Sequence, residues 1–355
     1  MQYRKFGNTG IEISTLGFGA MRLPEIQVKD GSWHIHEEKA IATIHRAFEL
    51  GVNYIDTAYG YCHGNSEATV GKALKGWRDK VYVSTKMPTW LVEKTGDYRR
   101  FLEEQLSRLD VDYIDFYHFH ALSKERLDNF VLKYQLLDEA AKAKEEGLIK
   151  HISFSFHDEP HVLKEIVDID IFSSLLCQYN LLDRANEDAI RYAHSKGLGV
   201  VIMGPVAGGR LAASSPAIQG LMGDRAVSTP ELALRFVLAN PHVGCALSGM
   251  TDMDMVVENS KAVSLATPLT EEELNKINLA LEENKKLADL YCTGCDYCMP
   301  CPNGVGISKN FRLMNYHRVY GLTDYARQEY QKLGVDGNKD GKAEDCIECG
   351  ICEDL

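Results

Sequence analysis

Asn53-Tyr54-Ile55-Asp56-Thr57-Ala58 is an apolar run that closes on a carboxylate. Two later runs close the same way: Val83-Ser84-Thr85-Lys86 on an ammonium, and Phe116-Tyr117-His118-Phe119-His120 on an imidazole. Outward from these three, apolar runs near 16–21, 53–58, 81–87, 113–120, 150–157, 172–180, 199–206 and 243–250 alternate with helix-period stretches. The stretches lie near 36–50, 65–76, 98–109, 127–146, 159–168, 186–196, 229–239 and 252–265. Eight strand signals, each followed by a helix signal, predict an α/β fold, a closed (β/α)8 TIM barrel.

Before the barrel, Met1 to Ser14 reads as a β-hairpin, with Gly7-Asn8-Thr9-Gly10 supplying the left-handed positions of its turn. Ser228-Thr229-Pro230-Glu231 has the order of a helix start, and Thr270 with Glu273 makes a capping box for an extra helix near 270–286. That helix has no strand partner and is read as the exit from the barrel. The composition then shifts at Cys292, which divides the 355 residues into a barrel over 1–285 and a small ferredoxin-like iron-sulfur domain over 286–355.

The hydrophobic fraction of 45% and charged fraction of 25% are those of a soluble globular protein, and no run approaches the ~18 apolar residues of a membrane span. Met1 to Lys5 is polar and charged, unlike a signal peptide, so a cytoplasmic location is expected. A net charge of -12 argues against nucleic-acid binding.

Barrel active sites lie where strands end, so the polar residues that close each run are the candidates. Asp56, Lys86 and His120 close runs two, three and four, and Tyr61 lies in the loop after Asp56. A Lys near a Tyr favours the phenolate, lowering a pKa that is ~10 when unperturbed, and suits the Tyr to act as an acid at neutral pH. Asp56 would hold the Lys in place, and His120 could donate a hydrogen bond to a carbonyl oxygen as hydride arrives. Singly, each has a plainer reading: Asp56 a helix cap, Lys86 a surface charge, Tyr61 a rim aromatic, His118 the working imidazole. Four on consecutive strand ends point to carbonyl reduction or its reverse.

Asp56-Thr57-Ala58, Tyr61, Gly64, Ser66, Glu67 and Gly71 resemble the signature of the aldo-keto reductases, and the resemblance covers roughly residues 1 to 285. It implies Tyr61 as general acid, Lys86 and Asp56 as its tuning pair, and His120, five places after Asp115, as the group that orients the carbonyl. It also implies a nicotinamide cofactor, NADP(H) or NAD(H). Ser155 and Gln178 stand where the family contacts the carboxamide, with Phe156 replacing the usual Asn. Met203 stands where an aromatic often stacks on the ring. Pro205 to Arg210, with Gly208 and Gly209, resembles the loop around the pyrophosphate, and Ser248, Gly249, Glu258 and Asn259 the adenosine end. Gly249 and Met255 occupy places where basic residues often hold a 2′-phosphate. Ser155 and Gln178 also have a plainer reading, as strand-end groups that satisfy a nearby loop.

Seven of the ten cysteines crowd into the tail as Cys292-x2-Cys295-x2-Cys298, Cys301-Pro302, and Cys346-x2-Cys349-x2-Cys352. In two-cluster ferredoxins three close cysteines bind one cluster and the fourth, before a Pro, serves the other. Cys346, Cys349, Cys352 and Cys301 then form a complete set for a 4Fe-4S cluster. Cys292, Cys295 and Cys298 form a set of three, whose fourth ligand is expected one residue past Leu355, in a missing terminus. One or two clusters are expected. Structural zinc is the competing reading, but triplets leave surplus thiols. Cys62, Cys177 and Cys245 are read as small apolar packing residues. Asp336-Gly337-Asn338-Lys339-Asp340-Gly341 begins like a calcium loop, yet its closing position falls on Ile347, so a polar turn is expected. Arg312 to Tyr320, basic and aromatic, is read as a helix docking the tail on the barrel rather than as a nucleic-acid patch.

The leading expectation is an oxidoreductase acting on a small carbonyl or alcohol, with clusters for electron relay, to a redox partner protein, or for structure. The alternative is a nicotinamide-binding electron-transfer or redox-sensing protein with little turnover. Nicotinamides move hydride and clusters move single electrons, so the two chemistries need a go-between that the sequence does not show.

Overall fold

The computed structural model describes residues 1–28, 32–212, 215–222, 228–264, 269–286, 292, 298–335 and 340–352. They form two compact units, one of Met1–Gly208 with Ala233–Pro268, the other of Gly209–Leu232 with Leu269–Leu355.

The first unit opens with the expected hairpin. Strands β1 (Tyr3–Lys5) and β2 (Glu12–Ser14) pair antiparallel, Tyr3 opposite Ser14. Strand β3 (Leu16–Gly19) starts the barrel. A second hairpin, β4 (Glu25–Gln27) with β5 (Trp33–Ile35), then interrupts it. Its strands are only three residues long, too short for an alternation to stand out in the sequence. The barrel continues through β6 (Tyr54–Asp56), β7 (Tyr82–Met87), β8 (Ile114–Leu122), β9 (Ile149–Phe156), β10 (Ser174–Gln178), β11 (Gly199–Met203) and β12 (Cys245–Ser248). The eight strands pair in parallel and close, β12 against β3 and β9 against β10.

Every second side chain of a barrel strand points inward. The lowest inward layer is apolar: Phe6, from the hairpin turn, joins Tyr54, Phe116, Leu176, Val201, Cys245 and Leu247. The Phe6 ring meets Phe116 edge-on at 5.3 Å. It fits because β11 begins with glycine: a Cβ at Gly199 would lie 2.6 Å from the ring. Gly199→Ala is therefore expected to cost about 1–3 kcal/mol through overpacking, read as a lower urea midpoint with an unchanged slope. Cys177 and Cys245 are fully buried as expected. Cys62 is only half-buried, its Sγ 3.6 Å from the carbonyl of Met21.

The expected helix over 127–146 is not continuous. Residues Leu127–Leu132 wind as a wide π-type turn, and Gln135, with φ +55°, breaks the path before the helix Leu136–Glu145.

In the second unit Thr270 and Glu273 exchange the two hydrogen bonds of the expected capping box, at 2.8 and 3.1 Å, and the helix Glu271–Lys286 follows. Helices Ile307–Arg318 and Thr323–Gln331 come next; the first includes most of the stretch expected from Arg312, and the second was not foreseen. Among the described residues no helix is long and apolar enough to cross a membrane.

Candidate active site and cysteine tail

Asp56, Lys86 and His120 occupy the ends of three neighbouring strands, β6, β7 and β8, and Tyr61 stands in the turn that follows β6. Lys86 and Asp56 are almost wholly buried, at 1% and 2% exposure, so neither is a surface charge. The Lys86 ammonium donates to Asp56 Oδ2 at 2.5 Å and to the Thr57 carbonyl at 2.7 Å, and it lies 4.6 Å from the centre of the Tyr61 ring. The other carboxylate oxygen of Asp56 accepts from Ser84 Oγ at 2.8 Å. Ser84 fixes the carboxylate, and only its register opposite Asp56 could have revealed it.

Tyr61 is aimed by a strained turn. Cys62 and His63 both have left-handed backbones, φ +49° and +57°, and Gly64 follows at +85°. Non-glycine residues reach this region at a cost of about 1–3 kcal/mol each, so the surroundings must hold them there. Ser66 does part of that, donating to the Ala20 carbonyl at 2.8 Å and bonding Thr57 at 2.8 Å.

The His120 ring meets Tyr61 edge-on at 6.0 Å, and its Nδ1 is buried without a hydrogen-bond partner. His118 pairs in register with Lys86 and is fully buried one layer deeper. Of the two imidazoles, His120 is therefore the one beside the phenol. Asp115 is spent elsewhere, on Arg78 at 2.9 Å and the Val83 N–H at 2.8 Å.

The electrostatics differ from the expectation in one respect. Burial raises the Tyr61 phenol above its ordinary value, and the Lys86 charge only offsets part of that rise. Lys86 lies above the ordinary lysine value: burial acts to lower it, and Asp56 and Tyr61 outweigh burial. Burial, followed by the Lys86 charge, drives His120 down to about 2. Near neutrality the site therefore holds a protonated phenol, an ammonium, and a neutral imidazole. If the site reduces a carbonyl, as the sequence leads one to expect, kcat/KM should be flat from about pH 6 to 9, with no acid limb from His120, and the reverse alcohol oxidation should rise with pH over the same range. Initial rates in both directions across that range check this.

The residues expected at the cofactor line the ends of the next four strands. Ser155 closes β9 region, Gln178 ends β10, Met203 ends β11 and Ser248 ends β12. Ser155 Oγ accepts the Ala121 N–H at 2.7 Å, so the plainer reading also holds for it: it satisfies the bend where Ala121 takes φ +53°. The Gln178 side-chain oxygen lies 3.0 Å from where a Cβ on Gly204 would stand. Past Pro205 the backbone is left-handed at Ala207, Gly208 and Gly209, and Arg22 donates to the Gly208 carbonyl at 3.0 Å. Asn259 donates to Ser248 Oγ at 3.2 Å, a Cβ on Gly249 would lie 3.8 Å from Arg22 and from the Gly19 carbonyl, and Glu258 is exposed.

In the tail, Cys295 lies outside the described residues, as do 336–339 of the calcium-like stretch. Asp340 is paired with Lys309 at 3.1 Å. Gly304, Gly306 and Gly341 exchange backbone hydrogen bonds of 2.8 and 3.0 Å, tying the segment after Cys301-Pro302 to the segment before Cys346. The Glu348 N–H donates to Cys346 Sγ at 3.3 Å, and Glu348 and Gly350 both have left-handed backbones. Cys346, Cys349 and Cys352 are exposed, and Cys292, Cys298 and Cys301 are half-buried. Among the described residues no three His, Cys, Asp or Glu side chains gather around one point.

The description Aldo/keto reductase family matches residues 15–282, and 4Fe-4S dicluster domain matches residues 291–355. L-galactose dehydrogenase of Arabidopsis thaliana is 30% identical over 81% of this chain and 96% of its own length. An uncharacterised oxidoreductase of Bacillus subtilis is 29% identical over 82% of this chain and 98% of its own. Among solved structures, the holo form of an aldo-keto reductase from Bacillus halodurans superimposes with a TM-score of 0.68 at 31% identity, covering 79% of this chain and 96% of that one. An eight-stranded barrel whose second, third and fourth strand ends carry the signature residues, followed by a cysteine-rich tail, thus places this chain in the aldo-keto reductase family of oxidoreductases, with a 4Fe-4S dicluster domain at its C-terminal end.

Proposed function

We propose that the protein reduces a small carbonyl compound, or oxidises the matching alcohol, with NADP(H) or NAD(H). The observation that carries this reading is the buried Lys86–Asp56 pair set 4.6 Å beneath the Tyr61 ring, with the His120 ring beside it. The cofactor, when bound, supplies or accepts the hydride. Tyr61 gives its phenolic proton to the carbonyl oxygen, and its raised pKa keeps that proton available through neutral pH. His120, neutral, has an N–H to offer the same oxygen as charge develops on it. Lys86 stabilises the phenolate left behind, and Asp56 and Ser84 hold Lys86 in line. Ser155, Gln178 and Met203 would hold the nicotinamide; Pro205, Gly208 and Gly209 the pyrophosphate; Ser248, Gly249, Glu258 and Asn259 the adenosine end. The left-handed glycines suit a backbone that must approach phosphate closely. Turnover of simple aldehydes with each nicotinamide by anaerobically prepared protein tests the reading, and no carbonyl-dependent oxidation of either cofactor would oppose it.

The division at 285/286 and a cytoplasmic location belong to the same proposal, since thiolate ligands need a reducing compartment. The donor set fits one or two 4Fe-4S clusters: Cys301 with Cys346, Cys349 and Cys352, and Cys292 with Cys295 and Cys298. The N–H to Cys346 Sγ and the Gly304–Gly341 backbone pairing support the first set. The clusters either relay electrons to a partner protein or fasten the tail. Iron and acid-labile sulfide are expected at about four each per cluster, with a broad visible absorption that a zinc site lacks. Cys301→Ala and Cys346→Ala should remove the same share of that absorption.

A further inference from the structure

Beside the proposed proton donor the mouth of the barrel carries a cation that nothing above has used. The Trp90 ring lies 5.0 Å from the His120 ring, and the Arg126 guanidinium lies 5.1 Å from the centre of Trp90. Arg126 comes from the first helical turn after β8 and folds back, donating Nη1 to the carbonyl of Ala121 at 2.8 Å. Ala121 is the residue next to His120, so the guanidinium is anchored one peptide away from the imidazole. Tyr61, His120, Trp90 and Arg126 therefore follow one another in contact, leading outward from the reacting centre.

Among the described residues Arg126 pairs with no carboxylate, although most arginines in the first unit do. Asp158 accepts from the N–H groups of Lys124 and Glu159 at 2.7 and 2.8 Å, and Asp128 pairs with Lys124 at 3.2 Å. Asp56 is neutralised by Lys86. Partial burial, and then the charges of Arg126 and Lys86, hold the His157 imidazole below its ordinary value, so that group too faces a positive field. The residues proposed for the cofactor's phosphates lie elsewhere in the chain: Arg126 follows β8, whereas Pro205, Gly208 and Gly209 follow β11.

We propose that Arg126, with Trp90 as its wall, binds a carboxylate on the substrate, so that the preferred substrate is a carbonyl acid, or a hydroxy acid in the reverse direction, with the two groups a few bonds apart. The planar fork of Arg suits a carboxylate, and hydrogen bonds between two charged groups are the stronger kind. Trp90, 42% exposed, gives the connecting carbons an apolar surface. The proposal rests on the carbonyl-reductase reading for the location of the reacting oxygen.

The test uses full-length protein and two compounds that differ in one charge and one methyl group, carboxybenzaldehyde and its methyl ester. The acid is expected to have kcat/KM about 10–100-fold above the ester, mostly through KM. Arg126→Ala should bring that ratio close to one, and Arg126→Lys, which keeps the charge without the fork, should leave it between the two. An ester used as well as the acid by the wild type, or a ratio unchanged in Arg126→Ala, would overturn the proposal. Binding of benzoate against methyl benzoate, followed by tryptophan fluorescence, separates the two readings. If neither aldehyde turns over but benzoate binds and Arg126→Ala abolishes that binding, the carboxylate site stands and the reductase reading fails. If benzoate does not bind and both aldehydes turn over equally, the reverse holds.

Discussion

Tyr61→Phe is expected to lower the rate of carbonyl reduction by about 100- to 10,000-fold, the usual span for loss of a positioned proton donor. The ring is retained, so its packing on the Lys86 ammonium and against His120 survives, and the fall should appear in kcat with little change in KM or Tm. Burial keeps the proton on Tyr61 through neutral pH, and His120, pushed down to about 2, offers no imidazolium proton in its place. Stopped-flow or steady-state rates with a saturating aldehyde check it. A variant that retained more than about a tenth of the wild-type rate would give the proton to another group, such as a water held by His120.

Lys86→Met carries the second large effect, and it falls on stability as well as rate. Breaking a buried ion pair from one side costs about 3–5 kcal/mol, because the remaining charge is left without a partner. Here that charge is Asp56, at 2% exposure, with only Ser84 still donating to it. Burial already places Asp56 above its ordinary carboxylate value, with Lys86 opposing the rise, so removing Lys86 raises it further. A carboxyl whose folded pKa is raised favours the fold when protonated. That stability is present below the unfolded pKa and lost as pH rises through the folded one. The deficit of Lys86→Met should therefore shrink as pH falls from neutral toward the ordinary aspartate range, as urea midpoints at several pH values would reveal. Adding Asp56→Asn, which keeps an oxygen for Ser84 and removes the charge, should recover much of the loss at neutral pH. Neither single nor double variant should support reduction at more than a small fraction of the wild-type rate.

The barrel was legible in the sequence because alternation of apolar runs with helix-period stretches survives single-residue noise, and because Asp56, Lys86 and His120 each close a run. The hairpin Glu25–Gln27 with Trp33–Ile35 was not, since strands of three residues are too short to show a period. The break at Gln135 was hidden because the stretch over 127–146 keeps its helical periodicity while the backbone changes path. At the site, the residue types and strand ends could be read, but contacts made only by folding could not. Ser84 looked like any strand serine until its register opposite Asp56 was known, and Trp90 and Arg126 lie in segments without a motif. The direction of the Tyr61 shift was misjudged for a related reason. The sequence places a lysine nearby but does not show how deeply the phenol sits, and burial outweighs the charge.

The central claim is that the barrel passes a hydride to a carbonyl carbon while Tyr61 supplies the proton, whatever the tail does with electrons. Anaerobic turnover with a nicotinamide deuterated at its reactive carbon, followed by mass spectrometry of the alcohol, tests that most directly. Deuterium retained on the former carbonyl carbon in every product molecule is the predicted result. Cofactor oxidation that leaves no deuterium in the alcohol, with the electrons leaving one at a time through the iron-sulfur tail, would contradict it.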